Sequence, residues 1–284
     1  LHVVHGEQGR TSRAERNRAT TVMNDGHVRR SASKPRVLAQ DPAAGAGARV
    51  VKHGNRAASS QSGSADVIEA LGIPIELDPA AVARCVDTAN IGFCFAQRYH
   101  PALRFLGPVR RALGVPTTFN FLGPLANPAR VRRQCVGVSD AAMAQRVLDV
   151  LAENGAEHAM VFHGDDGLDE LTTTTVSFVH ELVDGARRTY TVDPEQFGIG
   201  RADPSALRGG DAAANAAVLE RLVAGETGAV RDIVVLNAAA AIVVADLAPD
   251  IAAGLEVART SIDSGAAAGV LERWRTVARE SVQS

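Results

Sequence analysis

The stretch Val50-Val51-Lys52-His53-Gly54-Asn55-Arg56-Ala57-Ala58-Ser59-Ser60-Gln61-Ser62-Gly63-Ser64-Ala65-Asp66 decides how this chain is read. A short β-branched run enters a basic turn, small polar residues with Gly63 follow, and Asp66 to Leu71 then reads as helix. In α/β proteins a strand–loop–helix junction lies at the carboxyl end of a strand, where ligands bind. Lys52 and Arg56 are expected to supply fixed cations, and Ser59, Ser60, Ser62 and Ser64 hydroxyl donors. The loop adds backbone N–H groups beside a helix N-terminus. Together they predict an anion cradle best suited to a phosphate. Any one of these residues alone reads more simply as part of a polar turn capped by serine.

Outward from this junction, strands and helices alternate. A helix is expected from Pro79 to Thr88, a buried strand at Ile91–Phe95, a strand at Gln134–Val138, an amphipathic helix from Ala141 to Asn154 and a buried strand at Ala159–Gly164. This order predicts an α/β fold with a mixed, mostly parallel sheet flanked by helices. An extended segment to Leu182, a turn at Val183–Ala186 and a strand at Arg188–Val192 predict an antiparallel ribbon. Asp211 is placed as N-cap of a helix from Ala212 to Ala224. An alanine-rich helix from Ala238 to Ala245 reads as core, without a site.

Two further segments carry chemistry. His100 precedes Pro101 and a helix expected through Leu103 to Gly114; it suits a substrate contact or a proton acceptor, and equally a loop or cap. Arg110 and Arg111 adjoin on that helix and point about 100° apart, so at most one faces a pocket. His163-Gly164-Asp165-Asp166-Gly167-Leu168-Asp169-Glu170 puts four carboxylates at a strand end. Adjacent acids repel and need a cation or solvent to offset them. Mg²⁺ commonly takes one or two carboxylates plus substrate phosphates; a solvated acidic turn is the alternative.

Bulk properties narrow the class. The 284 residues suffice for one large or two modest domains, and the net charge of −2 excludes a uniformly basic nucleic-acid binder. Cys85, Cys94 and Cys135 form no C-x-x-C pair, which fits a reducing cytosol rather than secretion. No stretch reaches the roughly 18 apolar residues of a membrane span, and no signal-peptide core opens the chain, so a cytoplasmic location is expected. Residues 1–45 keep no helical or strand period, and Arg10, Arg13, Arg16 and Arg18 alternate with small polar residues. They are expected to be disordered, or a basic arm for an acidic partner, ahead of a catalytic domain over 46–284.

The string Lys52 to Gly72 resembles the signature of the anthranilate phosphoribosyltransferases of tryptophan biosynthesis, and so do Phe119-Asn120-Phe121-Leu122-Gly123-Pro124-Leu125-Ala126-Asn127-Pro128 and the acidic string. The resemblance spans about residues 48 to 276. It implies a nucleoside-phosphorylase-like fold, a homodimer, and transfer of the phosphoribosyl group from 5-phosphoribosyl 1-diphosphate (PRPP) to anthranilate with Mg²⁺. Residue by residue it implies diphosphate and ribose contacts from Lys52, Gly54, Asn55, Arg56, Ser59, Ser60 and Ser64. It also implies anthranilate contacts from Asn55, His100 and Arg110, metal ligation by Asp169 and Glu170, and catalytic roles for Lys52 and His100. A planar guanidinium such as Arg110 suits a carboxylate. Asp165 and Asp166 are expected to be peripheral.

One part of the family pattern is missing. Its Gly-Thr-Gly-Gly-Asp loop should fall near residues 24 to 37, where this chain has Asn24-Asp25-Gly26-His27-Val28-Arg29-Arg30 and onward. The family's N-terminal helical domain is not matched either. An impaired catalyst is therefore expected, and the abrupt loss of resemblance near residue 46 fits a misread frame or altered start. The alternative is a catalytically inactive relative that binds nucleic acid through the basic arm.

Overall fold

The computed structural model describes residues 20–24, 39–57, 61–105, 122–123 and 125–283. A seven-stranded sheet organises them, in the order β3-β2-β1-β4-β5-β6-β7. Its strands are β1 (Thr20–Asn24), β2 (Arg49–Gly54), β3 (Ile91–Phe95), β4 (Arg133–Gly137), β5 (His158–Gly164), β6 (Ser177–Val183) and β7 (Ala186–Val192). β3, β2, β1, β4 and β5 run parallel, and β6 and β7 close the edge antiparallel. The expected mixed sheet and its hairpin are both present.

The order of connection matters for function. From β1 the chain moves outward to β2 and β3, then returns to β4 on the other side of β1. The direction of winding thus reverses between β1 and β4, and ligand crevices open outside the carboxyl ends of strands at such a point.

Period-two alternation divides the core. Val136, Ala159 and Val161 face one side, where they meet Val147, Leu148 and Leu151 of α5 (Ala141–Glu153). Cys135, Met160 and Phe162 face the other, larger cluster. That side holds α1 (Gln40–Gly45), α2 (Ser64–Ala70), α3 (Pro79–Ala89), α6 (Ala212–Val223), α7 (Ala229–Val244), α8 (Ile251–Asp263) and α9 (Ala266–Gln283); the four-residue α4 (Ala96–Tyr99) follows β3. α7 is buried continuously from Ile233 to Val244, as a helix apolar on every side must be. α8 crosses it so closely that a side chain on Gly254 would lie 2.8 Å from the Ala239 carbonyl oxygen.

Three expectations change. Within residues 1–45, Thr20–Asn24 forms β1, paired with both β2 and β4, and Gln40–Gly45 forms the buried helix α1. The folded unit therefore starts before residue 46. No local period announces β1; its two neighbours impose the extended backbone. The helix expected through Leu103 is, where described, a 3₁₀ turn over Pro101–Phe105, and its remainder lies outside the described residues. α7 starts at Ala229 rather than Ala238, because a run such as Ile-Val-Val-Leu suits a buried helix as well as a strand.

Candidate active site

Lys52, His53 and Gly54 end β2 and are buried; Lys52 is fully so. The loop beyond is closed tightly on itself. Gly63 sits on the backbone of Asn55–Ala57, where an added Cβ would come within 2.5 Å of the Ala57 nitrogen. The Ala57 and Gly63 N–H groups both donate to Asp66 Oδ2 (3.0 and 2.8 Å). Arg56 donates to Asp66 (3.1 Å) and, through two nitrogens, to Glu69 (2.7 and 3.1 Å), with its guanidinium 5.7 Å from the centre of the Phe95 ring. Burial works to raise the Asp66 carboxyl, but these N–H groups and Arg56 outweigh it and hold it below the usual carboxylate range.

The cradle expected from the sequence is here bonded largely within itself. Arg56 and two of its backbone donors are committed to the acids of α2, so they shape the loop. Ser64 is buried at the first position of α2. Ser59, Ser60 and Arg110 lie outside the described residues. Asn55 is exposed at the mouth of the loop, its Oδ1 accepting from the Arg56 N–H (2.8 Å) and Gln97 Nε2 (3.3 Å). Ser62 fixes the far side: it donates to the Gly210 carbonyl (3.2 Å) and accepts from Asn215 Nδ2 (2.8 Å). Asn215 went unnoticed in the sequence, where only Asp211 marked the start of α6.

A second cluster flanks Lys52. His53 Nδ1–H donates to the Gly123 carbonyl (3.2 Å) and His100 Nε2–H to the Ala126 carbonyl (2.9 Å). A carbonyl only accepts, which assigns both protons. The rings meet edge to face, 5.0 Å between centres. Asn127 Nδ2 donates to the Val51 carbonyl (3.4 Å) and ties the same segment to β2. Neutral His100 therefore keeps Nδ1 as its acceptor nitrogen. His53, adjacent to Lys52 in the signature string, was not singled out in the sequence.

The acidic loop leaves β5 and folds back over the end of β4. A Cβ on Gly137 would lie 1.6 Å from the Asp169 carbonyl oxygen, so only glycine admits the loop there. Asp169 and Glu170 are each 1% exposed, which excludes the solvated acidic turn. Asp166 braces the loop instead: it accepts from the Leu168 N–H (3.0 Å), Thr172 Oγ1 (2.7 Å) and Thr174 Oγ1. Two adjacent buried carboxylates offer hard oxygens of the kind Mg²⁺ takes alongside substrate phosphates. Among the described residues no three His, Cys, Asp or Glu gather as a metal cage, and a metal shared with a diphosphate needs none.

Strand register brings the two loops together. Thr21 of β1 is level with Val50 of β2 and Arg133 of β4. Carried to the end of β1, His53 of β2 and Val136 of β4 are both level with Asn24, two strands apart, roughly 10 Å. The Lys52–Asn55 turn and the Asp169–Glu170 loop thus both lie at the carboxyl ends of the two strands that flank β1. A cavity of about 240 Å³ lies elsewhere, against β7 and α8. Of its polar lining, Arg188 and Tyr190 bond to Glu181, and Asp250 accepts from the Ala253 N–H.

The fold is that of an α/β glycosyl transferase: residues 39–268 match the family described as "Glycosyl transferase family, a/b domain". An anthranilate phosphoribosyltransferase from a Nocardioides species is 59% identical over 237 residues, 82% of this chain and 69% of that one. The Rhodococcus jostii enzyme of the same name is 56% identical over 81% of this chain and 65% of its own. The crystal structure of the Thermus thermophilus anthranilate phosphoribosyltransferase superposes with a TM-score of 0.87 at 38% identity, covering 92% of this chain and 78% of that one. The yeast enzyme in complex with PRPP and Mg shares the fold at 24% identity and a TM-score of 0.84. The chain belongs to the anthranilate phosphoribosyltransferase family, and spans about two thirds of the length of the curated relatives it matches.

Proposed function

We propose that this chain binds PRPP with Mg²⁺ across the β1 crevice and transfers its phosphoribosyl group to anthranilate, slowly. The observation that carries this reading is that β2, ending in Lys52–Gly54, and β4, whose Gly137 meets the Asp169 carbonyl, flank β1 in parallel on its two sides. A diphosphate needs cationic charge at one end and a metal at the other as it leaves. Lys52 supplies the first. Asp169 and Glu170 would hold the Mg²⁺, which offsets the negative charge growing on the leaving diphosphate. Asn55, His100 and Arg110 are assigned to anthranilate, with His100 Nδ1 accepting a proton from its amine as the amine nitrogen bonds to the ribose anomeric carbon. The working unit is taken to be a cytoplasmic homodimer. Among the described residues no helix is long and apolar enough to cross a membrane.

The rate is low because β1 ends at Asn24, where the family's glycine-rich loop should begin, and the sequence that follows lacks it. Losing one preorganised donor of this kind costs about 3 kcal/mol, or on the order of a hundredfold in rate. The test is product formation from PRPP, anthranilate and Mg²⁺ at high enzyme concentration, beside an intact relative. Turnover within about tenfold of the relative would show that the loop's absence is compensated.

A further inference from the structure

We propose that Asn237 of α7 is the positioning residue of the metal-binding loop, an inference that rests on the assignment of Asp169 and Glu170 to Mg²⁺. Asn237 is 2% exposed, inside a helix otherwise lined with Ile, Val and Ala. A buried amide there is costly unless every polar atom is paired. Its Oδ1 accepts from the Leu171 N–H (3.0 Å), and its Nδ2 donates to the Leu171 carbonyl (2.8 Å) and the Ile233 carbonyl (2.9 Å). Both donors and the acceptor are thus used. The side chain grips the N–H and the carbonyl of one residue, as a neighbouring strand would, and that residue directly follows Glu170.

Two other contacts complete the clamp. Gly137 admits the Asp169 carbonyl from the β4 side, and Ser177 Oγ accepts from the Thr172 N–H (2.9 Å) at the start of β6. Asp169 and Glu170 are held between these fixed points, with Asn237 joining them to the most deeply buried helix of the core. No local sequence signal marks this: an Asn within Leu-Asn-Ala-Ala reads as helix interior. The chemistry resembles a metal ligand oriented by an outer hydrogen bond, here delivered through the backbone rather than through the carboxylate.

Changes to groups that orient metal ligands typically weaken metal binding about 10- to 100-fold. The experiment measures Mn²⁺ affinity of the full chain in the presence of diphosphate, metal-free diphosphate affinity, and amide exchange at Leu171. Asn237→Asp keeps the shape and the acceptor but turns an oxygen toward two carbonyls; Asn237→Ala is the second variant should the first not fold. Leu148→Ala, in the separate α5 cluster, controls for stability loss alone. The expected result is a Mn²⁺ affinity lowered at least about tenfold with faster Leu171 exchange in the Asn237 variants. Metal-free diphosphate binding should hold in them, and Mn²⁺ affinity should hold in Leu148→Ala. Asp169→Asn/Glu170→Gln separates the two ideas: if it abolishes Mn²⁺ binding while the Asn237 variants bind normally, the positioning role is overturned. If it leaves Mn²⁺ binding intact, the metal assignment falls and the role of Asn237 with it.

Discussion

Arg56 grips Glu69 through two guanidinium nitrogens, 2.7 and 3.1 Å from the two carboxylate oxygens, across the loop that was expected to hold phosphate. Arg56 thus buckles its own loop to α2. Glu69 is held below the usual carboxylate range by this contact, and Arg56 is raised above its ordinary value.

Replacing Arg56 with Lys should therefore do two unequal things. The pair is largely exposed, so melting should report a loss below about 1 kcal/mol. A lysine cannot reproduce the fork, however, and misplacing the loop should lower turnover by up to about a hundredfold. Unchanged turnover in Arg56→Lys would mean that charge alone matters at this position.

Gly137→Ala forces a methyl group onto the Asp169 carbonyl. Overpacking of this kind costs about 1–3 kcal/mol, and here the displaced group is the acidic loop, so Mg²⁺ dependence should be lost as well. Gly200→Ala, with nothing within 4 Å of the new carbon, is the matched control and should melt like the parent. Equal behaviour of the two variants would refute the close approach.

Asp41 gives a pH signature. Burial in α1 lifts its carboxyl to about 7, against which its backbone and Arg275 pull only weakly. The unfolded chain releases this proton near pH 4, while the folded chain keeps it until about pH 7. Folding stability should thus fall as pH rises from about 4 to 7, by up to about 4 kcal/mol. Glu181 acts the other way and lower: burial opposes its charge, but His158 and Arg188 hold it at about 2, so its contribution is lost only as pH drops below about 4. Asp41→Asn should flatten the fall between pH 4 and 7 in denaturant titrations; an unaltered slope would show that Asp41 is not the group responsible.

How much was legible depended on where the determining contacts lie. β2 to β7 and their helices carry their own periods and caps, and Asp78, Asp140, Asp211 and Asp250 all accept hydrogen bonds as N-caps. β1 carries none, because Thr20–Asn24 becomes a strand only between β2 and β4. The strings around Lys52 and Asp169 were readable as binding loops, yet their internal bonding was not. Arg56 to Glu69 and Leu171 to Asn237 span 13 and 66 residues, distances over which sequence pattern says nothing about pairing. Asp66 was the one local clue: as the third residue of α2, its carboxylate is placed to accept from the N–H of the N-cap residue, here Gly63.

The most direct test of the account is calorimetric titration of PRPP into the full chain, in Mg²⁺ and again in excess chelator, alongside Lys52→Met. PRPP should bind tightly only with Mg²⁺ and more weakly to Lys52→Met if its diphosphate spans Lys52 and a metal held by Asp169 and Glu170. Equal affinity with and without Mg²⁺, or full affinity in Lys52→Met, would contradict it.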